Sequence, residues 1–487
     1  MEAPVSDETR AHSGPATFRE VFGQPEFRAL YAANALSWIG DYIAKAAVTV
    51  LVYQQTDSVA LSAAAFAVSF LPWLIGGPLL AAVAERHPYR TVLVVCDLAR
   101  MVLVALVAIP NQPVETILAL LFVTTLANPP SQAARSALTP LLLTGDRLVL
   151  GLSLTSSTGQ AAQVGGYVAG AAIATYDPTL ALLLNAATFG VSALIIRIGV
   201  RQRPAALADD DRSHLLQETA DGFRMVFGTP VLRAIAILVF AAMLFAIVPE
   251  GLAAAWAAEQ TGDDAGRGAA QAMIMTAHPV GFILGSVVVG RFVQPRLRRI
   301  LIRPFAILGP LALVPALLDP TPIVVALLSA ICGFAVAGLL PVANSLFVQA
   351  LPHGFRARAF GVMGTGVQVV QGASVLLTGL LAEQFTVPGV VGTWSLVGVL
   401  LMVAAVAAWP SSEQFDTAIA AATRSSDTTP ARTAGVAAPA EPVVGAGGDT
   451  PAEPASRPVG RPVDDPVAGH TAGAQGVPTN TPRVRAL

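Results

Sequence analysis

Long apolar runs recur along the first 410 residues, twelve in all, and they decide what the chain can become. Examples are Arg28 to Tyr53, Leu61 to Val83 and Val231 to Ala258. At 1.5 Å per residue, a helix of such length crosses the roughly 30 Å of bilayer hydrocarbon. Only 12% of the residues are charged, against about 25% in typical soluble domains. A soluble core cannot hide so much apolar surface. Strands of a membrane barrel would alternate over about ten residues, and these runs do not alternate. The expectation is an all-α membrane protein with about twelve transmembrane helices.

Basic residues punctuate the runs on one side only. Arg19 and Arg28 precede span 1, Arg86 and Arg90 separate spans 2 and 3, Arg197 and Arg201 follow span 6, and Arg291, Arg298 and Arg299 follow span 8. The opposite turns, such as Gln54 to Ser58 and Asn111 to Glu115, carry no Lys or Arg; only Arg267 breaks the alternation. The positive-inside rule therefore places both termini in the cytoplasm and the chain in the cell membrane as a multi-pass protein. The N-terminus has no basic segment followed by a cleavage site, so no cleavable signal peptide is expected.

Five stretches follow: a cytoplasmic N-terminal segment (1–26), a six-helix bundle (27–200), a cytoplasmic interfacial loop and helix (201–229), a second six-helix bundle (230–410) and a tail (411–487). Between the bundles, Leu216, Ala220, Phe223 and Phe227 recur at helical spacing, the pattern of a helix lying on a leaflet. The tail is rich in Pro, Ala, Gly and Thr and lacks apolar periodicity, so it is expected to be disordered. The two bundles read as repeats. Pro25-x-x-Arg28-Ala29 returns as Pro230-x-x-Arg233-Ala234, Pro129 with Pro140 returns as Pro341 with Pro352, and Gln160-x-x-Gln163 returns as Gln368-x-x-Gln371. Offsets near 205 to 212 residues at three places fit two parallel halves about a central site.

The chain has a single lysine, Lys45, inside span 1. A lysine that deep cannot comfortably reach either interface. Asn34, Trp38, Asp41 and Lys45, spaced four, three and four, form a polar stripe on one helix face. Glu250 in span 7 stands 205 residues after Lys45, so the repeat predicts that the two meet across the pseudo-twofold axis as an outer gate or proton site. The alternative is a static Lys45–Asp41 pair with Glu250 near the headgroups. Other cavity-lining candidates are Thr124 and Asn128 in span 4, Gln160 and Gln163 in span 5, Asn344 in span 10, and Gln368 and Gln371 in span 11. Equally, such groups can hydrogen-bond neighbouring helices. Gly159, Gly165, Gly166 and Gly170 read as a close-packing surface.

Several chemistries find no support in the sequence. With no lysine outside span 1 there is no Walker A motif. The six histidines lack metal-ligand spacing, and no Gly-x-Ser-x-Gly elbow occurs. Cys96 and Cys332 lie in different halves and read as core residues. No enzymatic activity, metal, cofactor or nucleic-acid partner is expected.

Gly77-Pro78, Glu85-Arg86, Arg90, Asp97 and Arg100 resemble the signature between spans 2 and 3 of the major facilitator superfamily, with Glu85 where Asp is usual and Tyr89 where another Arg is common. Gly40-Asp41, Thr56-Asp57-Ser58, Leu71-Pro72 and Pro230-Val231-Leu232-Arg233 further resemble a bacterial exporter branch, the transmembrane secretion effectors, whose members include siderophore and macrolide exporters. The similarity spans roughly residues 20 to 410. It implies the major facilitator fold, with spans 1, 4, 7 and 10 around a central cavity. It also implies a cytoplasmic gate of Gly77, Glu85, Arg86, Arg90, Asp97 and Arg100, with Arg135 as partner, and a proton as coupling ion. The function expected is export of a small amphiphilic compound, such as a drug, siderophore or secondary metabolite, by a monomeric carrier in the bilayer. An uptake carrier, or a membrane scaffold or sensor that transports nothing, is the competing reading.

Overall fold

A computed structural model of the chain describes residues 17–73, 86–203, 215–352 and 356–427. These residues belong to one compact unit that ends at Pro430. Among them the regular structure is helical.

The first half comprises α1 (Phe18–Phe22), α2 (Pro25–Thr56), α3 (Val59–Ala67), α4 (Tyr89–Val107), α5 (Val114–Thr125), α6 (Asn128–Leu142), α7 (Asp146–Tyr176) and α8 (Pro178–Gly199). A connecting helix, α9 (Leu215–Gly228), leads into the second half. That half comprises α10 (Pro230–Ala246), α11 (Val248–Gly251), α12 (Ala253–Gln260), α13 (Asp264–Phe292), α14 (Pro295–Leu313), α15 (Pro322–Gln349), α16 (Arg356–Ala382) and α17 (Val387–Ala407). A further helix, α18 (Ser412–Asp427), ends the described residues.

The helices begin where their sequences allow. Pro25, Pro178, Pro230, Pro295 and Pro322 each stand in the first turn, where a missing N–H costs nothing. Asp177 caps α8 by accepting from the Thr179 N–H at 2.8 Å. Asp57 ends α2 in the left-handed region, φ 50°.

Eight helices among the described residues are long and apolar enough to cross a membrane. They are α2, α8 and six of the second half. Spans 3 to 5, all in the first half, fall short because the chain there is polar or broken. α4 carries Arg90, Asp97 and Arg100; span 4 is split into α5 and α6 before Asn128-Pro129-Pro130; α7 is rich in Gly, Ser, Thr and Gln. Span 2 runs from α3 into residues outside the description, and Gly77 and Glu85 lie there too.

Within the first half α2 packs on α7 and α8, and α4 on α6 and α8; within the second, α13 and α14 pack on α15. Small residues set the spacing. A Cβ on Gly170 would stand 2.6 Å from the Ile43 carbonyl oxygen, and one on Gly166 would stand 2.9 Å from that of Ile39, so α7 meets α2 backbone to backbone. Gly165, one residue away, faces open space. The halves meet where α7 packs on α13 and α3 on α16. Gln271 of α13 donates to the Ala46 carbonyl at 3.1 Å and to Thr49 Oγ1 at 3.3 Å. Glu383, just past α16, accepts from the Ser58 hydroxyl and from the Ala60 N–H at 2.8 Å. Both ties lie toward the arginine-poor ends of the helices.

Two expectations need adjusting. α9 packs on α16 and α10, with Gly222 closely apposed to the Arg358 backbone, so part of its surface belongs to the protein rather than to a leaflet. The tail expected to be disordered from residue 411 begins with α18, because Phe415 is buried against Trp409 at 5.5 Å between ring centroids. Cys332 is buried and Cys96 half-buried, both as free thiols.

Candidate functional site

The polar stripe of α2 and the break in span 4 together make a cavity of about 220 Å³ inside the first half, with Gln368 of α16 on its rim. Trp38, Asp41 and Lys45 line it, as do Arg100, Thr124, Asn128 and Arg135. Asn34 lies one turn below Trp38, is 6% exposed, and accepts from Arg135 Nη1.

Sequence resemblance assigned Asp97, Arg100 and Arg135 to a cytoplasmic gate. Here they form a buried polar core at the cavity wall, 0%, 3% and 8% exposed. Asp97 accepts from the Ser192 hydroxyl at 2.6 Å and faces Arg135 Nη2 at 3.8 Å. Arg100 donates to Asn128 Oδ1 and lies over the Phe189 ring, 5.2 Å from its centroid. Arg90 is half-buried and Arg86 exposed.

A second cluster sits at the junction of the halves. Span 7 breaks at Ile247-Val248-Pro249, because proline has no N–H to continue the ladder, and the short α11 carries Glu250. Glu250 is 2% exposed. It accepts from the Tyr167 hydroxyl at 2.9 Å and from Gln163 Nε2 at 3.3 Å, both on α7 of the other half. His278 of α13 approaches with Nδ1 at 3.4 Å. His278 Nε2 is buried with no hydrogen-bond partner.

The predicted meeting of Lys45 and Glu250 is not an ion pair in this structure. Lys45 Nζ lies among the rings of Tyr42, Phe66 and Phe70, at 5.3, 5.7 and 5.2 Å from their centroids. Cation–π attraction of this kind partly replaces lost hydration. Nor does Lys45 form the alternative pair with Asp41, since no carboxylate of the described residues comes within 4 Å of it. Tyr42 stands between the two clusters and stacks edge-on against Tyr167, 5.1 Å away.

Of the amide candidates, Gln163 reaches Glu250 and Gln368 reaches the cavity; Gln160, Asn344 and Gln371 are half-buried and lie outside its lining. Thr124 reaches the cavity while donating to the Leu120 carbonyl of its own helix at 2.7 Å. Sequence reasoning missed Tyr42, Tyr167, Phe66, Phe70 and Trp73, because aromatic residues in a span look like packing. Tyr167 had a usable signal: it lies four residues after Gln163, on the same helix face. Among the described residues no group of His, Cys, Asp and Glu could hold a metal ion.

Comparison with known proteins bears on this geometry. The family model described as the Major Facilitator Superfamily matches the chain twice, over residues 30–256 and 251–446. No curated protein matches the sequence. Among solved structures, the nucleoside transporter NupG superposes with a TM-score of 0.61 at 16% identity, over 79% of this chain and 99% of that one. A peptide transporter POT in complex with sulfate gives 0.61 at 16% identity, over 81% and 95%. A POT family transporter in complex with 5-aminolevulinic acid gives 0.60 at 12% identity, over 78% and 94%. At these identities the likeness is one of fold.

Proposed function

The chain belongs to the major facilitator superfamily, and from that premise we propose that it is a proton-coupled exporter, with no enzymatic activity, of a small amphiphilic compound. Its fold is that of a secondary transporter, so the solute moves as the halves alternately open to either side. The observation that carries proton coupling is the buried Glu250, held by Tyr167 and Gln163 across the junction of the halves.

An ionised Glu250 accepts both donors, and hydrogen bonds to a charged group contribute about 1.5–3 kcal/mol each. Protonation removes the charge and weakens the tie. A change of that size shifts a two-state equilibrium by roughly 10- to 100-fold, enough to couple one proton to the choice of open side. The titratable and charged groups facing Glu250 are Tyr167 of α7, His278 of α13, Tyr42 and Lys45 of α2, and Cys332 of α15. In this reading His278, with Nδ1 3.4 Å from Glu250 Oε1, is the side chain that exchanges the proton with it. Export is favoured over uptake by the resemblance to exporters and by the aromatic cavity wall.

The test uses the full chain in proteoliposomes with an imposed pH gradient. Glu250→Gln should abolish gradient-driven flux while leaving substrate binding within about threefold. Unchanged flux and pH dependence in that variant would sink the coupling role. Extracellular metabolites of a deletion strain, compared with those of its parent, separate export from uptake.

A further inference from the structure

Building on the transport reading above, we propose that the cavity of the first half is a subsite for an organic anion: a small, mostly aromatic molecule bearing a carboxylate or similar oxyanion. The observation is a set of buried cationic donors on the cavity wall that the protein leaves without partners. Lys45, Arg100 and Arg135 line the cavity. Against them stand Asp41, also on the lining, and Asp97, which is wholly buried behind Arg135. The other lining elements, α3, α5, α8 and α16, contribute no charged group. Glu250 faces Lys45 from beyond Tyr42, so carboxylates match the cations in number; on the lining itself, however, Asp41 is the one carboxylate beside three cations, deep in a bilayer where a charge without a close partner is costly.

Hydrogen bonding leaves these donors over. Arg100 has only neutral partners, the Asn128 amide and the Phe189 ring. Arg100 Nε and Arg135 Nε are buried without a hydrogen-bond partner, while Arg135 Nη2, also without one, faces Asp97 Oδ1 at 3.8 Å. A guanidinium offers its donors as a planar fork that a carboxylate matches with two parallel bonds. An anion reaching these forks would satisfy donors the protein leaves unused. A cation would offer these donors no acceptor and be repelled by them.

The remaining wall sets the rest of the molecule. Trp38, Tyr42, Phe70 and Trp73 line the same space, and flat rings stack on such faces. The volume of about 220 Å³ equals the share of roughly seven waters, which suits a one- or two-ring acid. The ligand class is thus narrower than an amphiphile: apolar on one side, anionic on the other.

The probe series is 1-naphthoate, 1-naphthamide and 1-naphthylmethylamine, one scaffold with negative, neutral and positive groups. Binding to the full chain in phosphatidylcholine nanodiscs at pH 7 is read calorimetrically and by quenching of tryptophan emission. The acid should bind at least tenfold more tightly than the amide, and the amine more weakly still. Arg100→Gln and Arg135→Gln, each tested alone, should bring acid and amide within about threefold. The proposal is overturned if the acid does not bind, or if the amide or amine matches it on the natural protein, a comparison that needs no variant to fold. It is equally overturned if both well-folded variants keep the preference. Because binding is measured without a gradient, an acid preference alongside flux indifferent to pH would uphold this subsite and refute only the proton coupling.

Discussion

Tyr167 is the residue on which the junction turns. Its hydroxyl makes the shorter of the two bonds to Glu250, and it reaches from one half of the molecule to the other. Tyr167→Phe keeps the ring against Tyr42 and removes only that bond, so the arrangement closed at the arginine-poor end should lose about 1.5–3 kcal/mol. Spin labels at Gln55 and Phe385 should show a larger population of long distances in this variant; an unchanged distribution would remove Tyr167 from the gate. The sequence exposed some of this site and hid the rest for identifiable reasons. Lys45 and Glu250 stood out because ionisable groups inside apolar spans are rare. Their relation did not, because a repeat offset identifies equivalent positions and equivalence is not contact. Lys45 instead found three rings that pattern reading could not tell from ordinary packing.

At the scale of elements, glycines and a carboxylate make opposite kinds of joint. Gly170 lets α7 lie directly on α2, so Gly170→Val should destabilise by about 1–3 kcal/mol through overpacking. Gly165→Ala, facing open space, should be neutral in the same thermal unfolding series. Equal effects of the two substitutions would contradict the backbone contact. Glu383 makes the weaker joint. Hydrogen bonds from Ser58 and the Ala60 N–H hold its carboxyl below the usual carboxylate range. The stabilisation from a lowered carboxylate is fully present above the ordinary value of 4.5 and is lost as pH falls through the lowered one. The share of closure between α3 and α16 that Glu383 supplies should therefore be constant near neutrality and be lost only in acid. Glu383→Gln should show somewhat longer distances at neutral pH and lose this part of the acid response, the shift staying below about 1 kcal/mol for so exposed a group. The helices themselves were legible from apolar length and proline entries. The split of span 7 was less so, since Pro249 could have kinked the helix or ended it.

For the whole molecule, the useful distinction is between the part that moves solute and the part that does not. α18 buries Phe415 against Trp409, so truncation after residue 410 should cost roughly 1.5–3 kcal/mol of stability, seen as a lower unfolding temperature in detergent. Truncation after Asp427 should leave both stability and flux unchanged; loss of flux there would favour a role for the tail in partner binding. The two halves also differ in how they can be made. In the second half every span is a long apolar helix, whereas in the first half span 3 carries three charged residues, span 4 is split into two short helices and span 5 is rich in polar residues. A charge at mid-helix costs about 2.5–3.5 kcal/mol on insertion, and α4 carries Asp97 and Arg100 together. Those helices should enter the bilayer more readily together with their neighbours than singly. Synthesis of the first half should then be the slow and error-prone stage of biogenesis, in which the polar groups that serve transport are a burden until their partners have been translated.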